Sequence, residues 1–191
     1  MSFFLGIFPD KESRNSIGDV SEEIKSVFEG FDIPVRWSNP DNYHLTMVHF
    51  GERFPFYKRL FLKYKIRKLE FKKFVIKFNT VKLGLTRKYK ELIYLDVLEG
   101  GDNMRTFLLE LRSMLNIKNE GNFLPHLTIG RVSKELTDQE YSNICKDLSV
   151  VTKGLGIKNI GFEVNSFDLV KNKDGEYQVL MNFKEFSNTS S

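Results

Sequence analysis

Hydrophobic positions along this chain change period several times, and each change marks an element. Ser2 to Phe8 is apolar at nearly every position, which predicts a buried strand. Pro9-Asp10 follows, with Asp10 as a helix N-cap. Ile17, Val20, Ile24, Val27 and Phe28 then fall at helical spacing until Gly30 closes the helix. Phe31 to Asn42 contains two prolines and reads as a turn-rich link. From Phe56, Tyr57, Leu60, Phe61 and Tyr64 share one helical side. Phe74, Ile76 and Phe78 alternate with Lys77 and Asn79, so this segment is a strand, and Glu91 to Leu98 is another. Gly100-Gly101-Asp102 breaks the chain before a helix to about Leu115, with Phe107, Leu108, Leu111 and Leu115 inward. Thr137 to Glu140 is a capping box, and Tyr141, Ile144, Cys145 and Leu148 continue its helix. Lys173-Asp174-Gly175 turns a hairpin between two closing strands. The last strand is expected to place Tyr177, Val179, Met181 and Phe183 on one face, and the tail beyond Phe186 to fray.

The order repeats loosely in each half, and no linker separates the halves. The expectation is an α+β protein, one bilobal domain over residues 1–191. Composition sharpens this. Apolar residues make up 41% of the chain and 18 residues are Phe, an aromatic-rich core that favours sheets. A net charge of +4 is compatible with an anionic ligand. The one cysteine, Cys145, excludes an internal disulfide and a cysteine-based zinc site, and fits a reducing compartment. The start of the chain has no basic region typical of a signal peptide. No apolar run approaches the ~18 residues of a membrane span. A cytoplasmic location with no membrane association is expected.

The candidate chemistry lies in a repeated tetrapeptide. His44-Leu45-Thr46-Met47 and His126-Leu127-Thr128-Ile129 place two of the chain's three histidines in the same strand-like setting. Alternation points His44 and Thr46 to one face and Leu45 and Met47 to the other, and the same holds for His126 and Thr128 against Leu127 and Ile129. If the halves pack about a pseudo-twofold, two imidazoles and two hydroxyls line a common cleft. One neutral imidazole there can accept a proton while the other, protonated, donates one. The threonine hydroxyls can hydrogen-bond non-bridging phosphate oxygens. A single H-x-T strand is most often ordinary surface or core. Two copies in a chain with three histidines favour a phosphodiester site that needs no metal.

With these residues in hand, the sequence resembles the 2H phosphoesterase superfamily, and within it the RNA 2′,3′-cyclic phosphodiesterases, also called 2′-5′ RNA ligases. The resemblance rests on FFLGIF with its helix, VRWSNPDNYHLTMVHFG, FLPHLTIGRV and SFDLVKNKDGEYQVLMNF, which together span most of the chain. It implies a bilobal 2H-phosphoesterase-like fold, with two pseudo-symmetric antiparallel sheets and outer helices around a central cleft. It implies hydrolysis of an RNA-terminal 2′,3′-cyclic phosphate to a 2′-phosphate, with no cofactor or metal, and with 2′-5′ ligation as the reverse reaction. His44 is then the proton donor, His126 the proton acceptor, and Thr46 and Thr128 the phosphate-holding residues. The expected partner is RNA or an oligonucleotide ending in a cyclic phosphate. A monomer with no obligate protein partner is expected. Another cyclic nucleotide substrate, or a nucleotide- or RNA-binding module without turnover, remains an alternative.

Two departures from the family pattern stand out. Ser2-Phe3 replaces a basic residue before the first aromatic, and His49 stands where a large apolar residue is usual. Regular alternation puts His49 on the face opposite His44, partly buried at the strand's end. Arg131, the fifth residue after His126, is a further phosphate contact only if the strand ends or bulges there. Lys58 to Lys73 contains eight Lys/Arg and one Glu, and reads as a solvated helix face ahead of an RNA track. Trp37 and Tyr43 read as packing residues ahead of base-stacking ones, and Cys145 as a small core residue.

Overall fold

A computed structural model describes residues 1–69, 71–84, 90–117 and 123–184. The tail beyond Phe186 and Glu70 of the basic segment lie outside these residues. Among the described residues are strands β1 (Ser2–Ile7), β2 (Val35–Trp37), β3 (Leu45–Gly51), β4 (Phe74–Leu83), β5 (Leu92–Glu99), β6 (His126–Val132), β7 (Gly161–Val164), β8 (Ser166–Lys173) and β9 (Glu176–Lys184). The helices are α1 (Lys11–Glu29), α2 (Phe56–Ile66), α3 (Gly101–Leu115) and α4 (Asp138–Val151).

The strands form an antiparallel sheet in the order β7-β4-β5-β6-β3-β1-β8-β9, with β2 added along β6. It consists of two four-stranded halves, and each half carries one H-x-T strand at its inner edge. The halves meet at a single pair, Leu45 opposite Leu127. The expected pair of pseudo-symmetric sheets is therefore one curled sheet joined at a narrow seam.

Helices cover one side of the sheet. Ile17, Val20, Ile24, Val27 and Phe28 of α1 are buried, Asp10 caps its start by accepting from the Ser13 N–H at 2.8 Å, and Gly30 is its C-cap. Helix α4 packs on β4 and on α1, and Thr137 and Glu140 complete its capping box. Phe107 of α3 sits 5.0 Å from Phe71 and 5.2 Å from Phe167, whose ring stacks on Phe183. Each such ring contributes about 1.5–3 kcal/mol by leaving water. A second set of buried side chains, Phe4, Leu92, Tyr94 and Val170, stands apart from this core. It floors the opposite face of the sheet, where the motif histidines lie.

Several expectations change. The proline-rich link holds β2, and Gly161–Val164 is a strand too short to stand out by periodicity. Helix α2 exists, but Tyr57, Leu60, Phe61 and Tyr64 are exposed and Leu62 and Ile66 are its buried residues. A register shift between Leu169–Met181 and Val170–Val179 puts an extra residue in β9. Tyr177 and Val179 therefore do not share a face with Met181 and Phe183. The Asp174-Gly175 turn is as expected, with both residues at positive φ, 55° and 94°.

Candidate active site

Strands β3 and β6 run antiparallel, with Leu45 and Leu127 opposite each other and both fully buried. The same register, continued one residue each way, sets His44 alongside Thr128 and Thr46 alongside His126. All four are half-buried. Alternation places them together on the face away from the helices.

Both imidazoles are anchored alike. Nδ1 of His44 donates to the Asn42 carbonyl at 2.7 Å, and Nδ1 of His126 to the Leu124 carbonyl at 2.8 Å. A carbonyl only accepts, so each Nδ1 carries a proton. Each neutral ring therefore keeps its Nε2 lone pair free, and each protonated ring has an Nε2–H to donate.

Their surroundings differ. The His44 ring lies 4.6 Å from Phe4, 5.6 Å from Phe8 and 5.4 Å from Tyr177, measured between centroids. Gly6, opposite Thr46, leaves room for this box, because a Cβ there would come within 2.9 Å of the Phe4 ring. The His126 ring lies 5.5 Å from Tyr94, and its cross-strand neighbour is Asp96, which Lys82 holds at 2.6 Å. Burial pushes the Tyr94 hydroxyl up to about 12, with the Asp96 charge adding to it, so it stays protonated. Burial also lowers the pKa of both histidines. The carbonyl bonds oppose this, and a positive charge on His126 lowers His44 further.

Asn42 links this site to the far end of the chain. Its carbonyl orients His44, and its side-chain amide donates to the Gly175 carbonyl at 2.8 Å. That turn carries β9, and with it Tyr177, against the His44 ring.

A shared irregularity follows each motif. In β3 the register steps from Gly6–Thr46 to Leu5–Val48, and in β6 from Tyr94–Thr128 to Ile93–Gly130. Met47 and Ile129, the fourth residue of each motif, are therefore bulge residues, and alternation reverses beyond them. His49 pairs with Phe4, whose ring packs on His44. Arg131 pairs with Leu92, which shares a face of β5 with Tyr94. Cross-strand partners share a face, so His49 and Arg131 occupy equivalent positions on the site's own face, at opposite ends. The expected reversal of His49 is thereby corrected, as is its burial, for it is exposed. Its Nδ1 accepts from the Gly51 N–H at 3.2 Å.

Arg131 donates to Glu91 at 2.7 Å and faces Arg36 on β2. Arg36 is exposed and makes no ion pair among the described residues. Trp37 beside it turns to the core against Phe28, and Tyr43 is buried. Cys145 is partly buried against the core. No cluster of three or more His, Cys, Asp or Glu that could hold a metal ion occurs among the described residues. Arg36 was not among the expected site residues, although the Arg36-Trp37 pair belongs to the VRWSNPDNYHLTMVHFG segment on which the resemblance rests.

No family model and no curated protein sequence matches the chain. Solved structures do. Escherichia coli LigT in complex with ATP superposes with a TM-score of 0.71 at 18% identity, covering 97% of this chain and 98% of that one. TT0787 of Thermus thermophilus gives 0.67 at 18%, with the same coverage. Usb1 of Kluyveromyces marxianus gives 0.64 at 13%, covering 96% of both. At these identities the likeness establishes the fold: the chain folds as a 2H phosphoesterase.

Proposed function

We propose that the protein is a phosphodiesterase that hydrolyses an RNA-terminal 2′,3′-cyclic phosphate to a 2′-phosphate. The observation that carries this reading is the pair of imidazoles on adjoining strands, each fixed through Nδ1 with Nε2 free, and each beside a threonine. In the proposed reaction, Nε2 of neutral His126 takes a proton from water as its oxygen attacks phosphorus. The bond from phosphorus to the 3′ oxygen breaks, and protonated His44 delivers its Nε2 proton to that oxygen. Thr46 and Thr128 donate to the non-bridging oxygens, where negative charge sits. The symmetric anchoring would suit either histidine to either role; the assignment follows the family resemblance. Ligation of a cyclic-phosphate end to a 5′-hydroxyl is the same path with an alcohol in place of water. Arg131 reaches a phosphate by exchanging its Glu91 partner, and Arg36 lies next to it.

The test is incubation with RNA ending in a 2′,3′-cyclic phosphate, in EDTA, with the product mapped. We expect a 2′-phosphate, and a fall in kcat of roughly 10²–10⁴ in His44→Ala or His126→Ala. Undiminished turnover in either variant sinks the mechanism. Turnover confined to a cyclic mononucleotide would move the substrate, and tight binding without turnover would make the chain a binding module.

A further inference from the structure

Helix α2 has two apolar sides. Leu62 and Ile66 are buried and fasten it to the core. Phe56, Tyr57, Leu60, Phe61 and Tyr64 recur at the spacing of a single face, directed away from that anchor, and are 49–68% exposed. Bulky apolar side chains grouped on a surface mark a place of contact. Leu109 of α3, also exposed, lines a shallow cavity beyond the end of α2 with Lys68, Leu69 and Glu110.

The charge carried by this segment itself is of one sign. It holds Lys58, Lys63, Lys65, Arg67 and Lys68, and no acidic residue lies between Phe56 and Leu69. The Lys65 ammonium sits 5.3 Å from the Phe61 ring and that of Lys68 4.4 Å from the Tyr64 ring. The occupant must therefore be both apolar and anionic. A second copy docked about a twofold would bring lysines against lysines. A stacked nucleic acid strand would need the ring faces that Lys65 and Lys68 cover. An anionic bilayer meets both demands, because rings enter the acyl boundary while long cationic side chains extend to headgroups.

We propose that α2 is a peripheral docking helix for an anionic lipid surface. It lies flat on the surface and does not span, and no helix among the described residues is long and apolar enough to cross a membrane. This departs from the sequence expectation of no membrane association. The orientation suits an enzyme. Arg59 of α2 stands 5.2 Å from the Phe3 ring on the core side of β1, whereas the motif histidines lie on the other side with Phe4. A docked α2 leaves the cleft turned to water. The proposal depends on α2 and not on the reaction at His44 and His126.

Flotation of the full chain with phosphatidylcholine vesicles, with and without phosphatidylserine, tests it. Binding is expected only with the anionic lipid, and salt should weaken it. Leu60→Ser/Phe61→Ser should weaken it about tenfold or more, as should Lys65→Glu/Lys68→Glu. Leu60, Phe61 and Lys68 are exposed and Lys65 is half-buried at the surface, so both variants should melt as the parent does. Absence of flotation, or flotation insensitive to both variants, overturns the proposal. So does self-association, or single-stranded RNA binding, that these variants abolish in the absence of lipid binding.

Discussion

His44 and His126 are held alike and both half-buried, and the proposed chemistry depends on which proton is present. A two-histidine reaction needs one ring protonated and one neutral. Burial lowers both pKa values below the ordinary ~6.5. In the free protein the productive form is therefore most populated on the acid side of that value, and it declines as pH rises and both rings become neutral. The kcat/KM profile should be a bell with its maximum below about pH 6.5. A bound phosphate anion favours the protonated ring, so the kcat profile should lie at higher pH. A kcat/KM maximum well above neutrality would contradict this account. If the substrate is an oligonucleotide, as proposed, Arg36, exposed and opposite Arg131, would meet a phosphate farther along it. Arg36→Ala should raise KM for an oligonucleotide about tenfold, with kcat nearly unchanged, and should leave a cyclic mononucleotide unaffected. Equal losses on both substrates would remove Arg36 from chain binding. The four motif residues were legible in the sequence because they repeat. The positions of His49 and Arg131 were not, because Met47 and Ile129 are apolar and look the same in a regular strand or a bulge.

Helix ends were legible where a side chain closes them: Asp10, Gly30, and Thr137 with Glu140. Periodicity also found α2, yet could not tell which apolar side meets the core, since Leu62 and Ile66 are fewer than the exposed set. Nor could local sequence foresee the tie between Asn42 and the Gly175 turn, which joins segments distant along the chain. Asn42→Ala keeps the carbonyl that orients His44 and removes the bond to the hairpin. Tyr177 should then pack less closely on His44, and the lowered pKa of that ring should return upward toward ~6.5. An NMR titration of His44 reads this directly. An unchanged His44 pKa would show that the hairpin holds its place without Asn42.

Two halves, each with its own motif strand, share one seam pair, and the aromatic core continues from α3 into β8 and β9. The broad α+β architecture was readable from element order, but the seam was not, because it depends on two strands far apart in sequence. Ending the chain after Asn165 would keep both motifs and remove β8 and β9. Phe167, Leu169, Val170 and Phe183 are buried, and their loss amounts to about 6–12 kcal/mol, comparable with the whole stability of a domain, about 5–15 kcal/mol. Such a chain should show no cooperative melting by circular dichroism; a sharp transition would mean that the first-half sheet stands without its outer strands.

Strand β1 lies between β3 and β8. During translation it emerges before both neighbours, and one of its two edges has no partner until β8, more than 150 residues later, has followed. The aromatic wall around His44 is likewise incomplete until Tyr177 arrives. An interrupted product would carry both histidine motifs and still lack the wall that encloses the first. In this topology the sheet itself makes the enclosure of the first histidine wait on strands far along the chain.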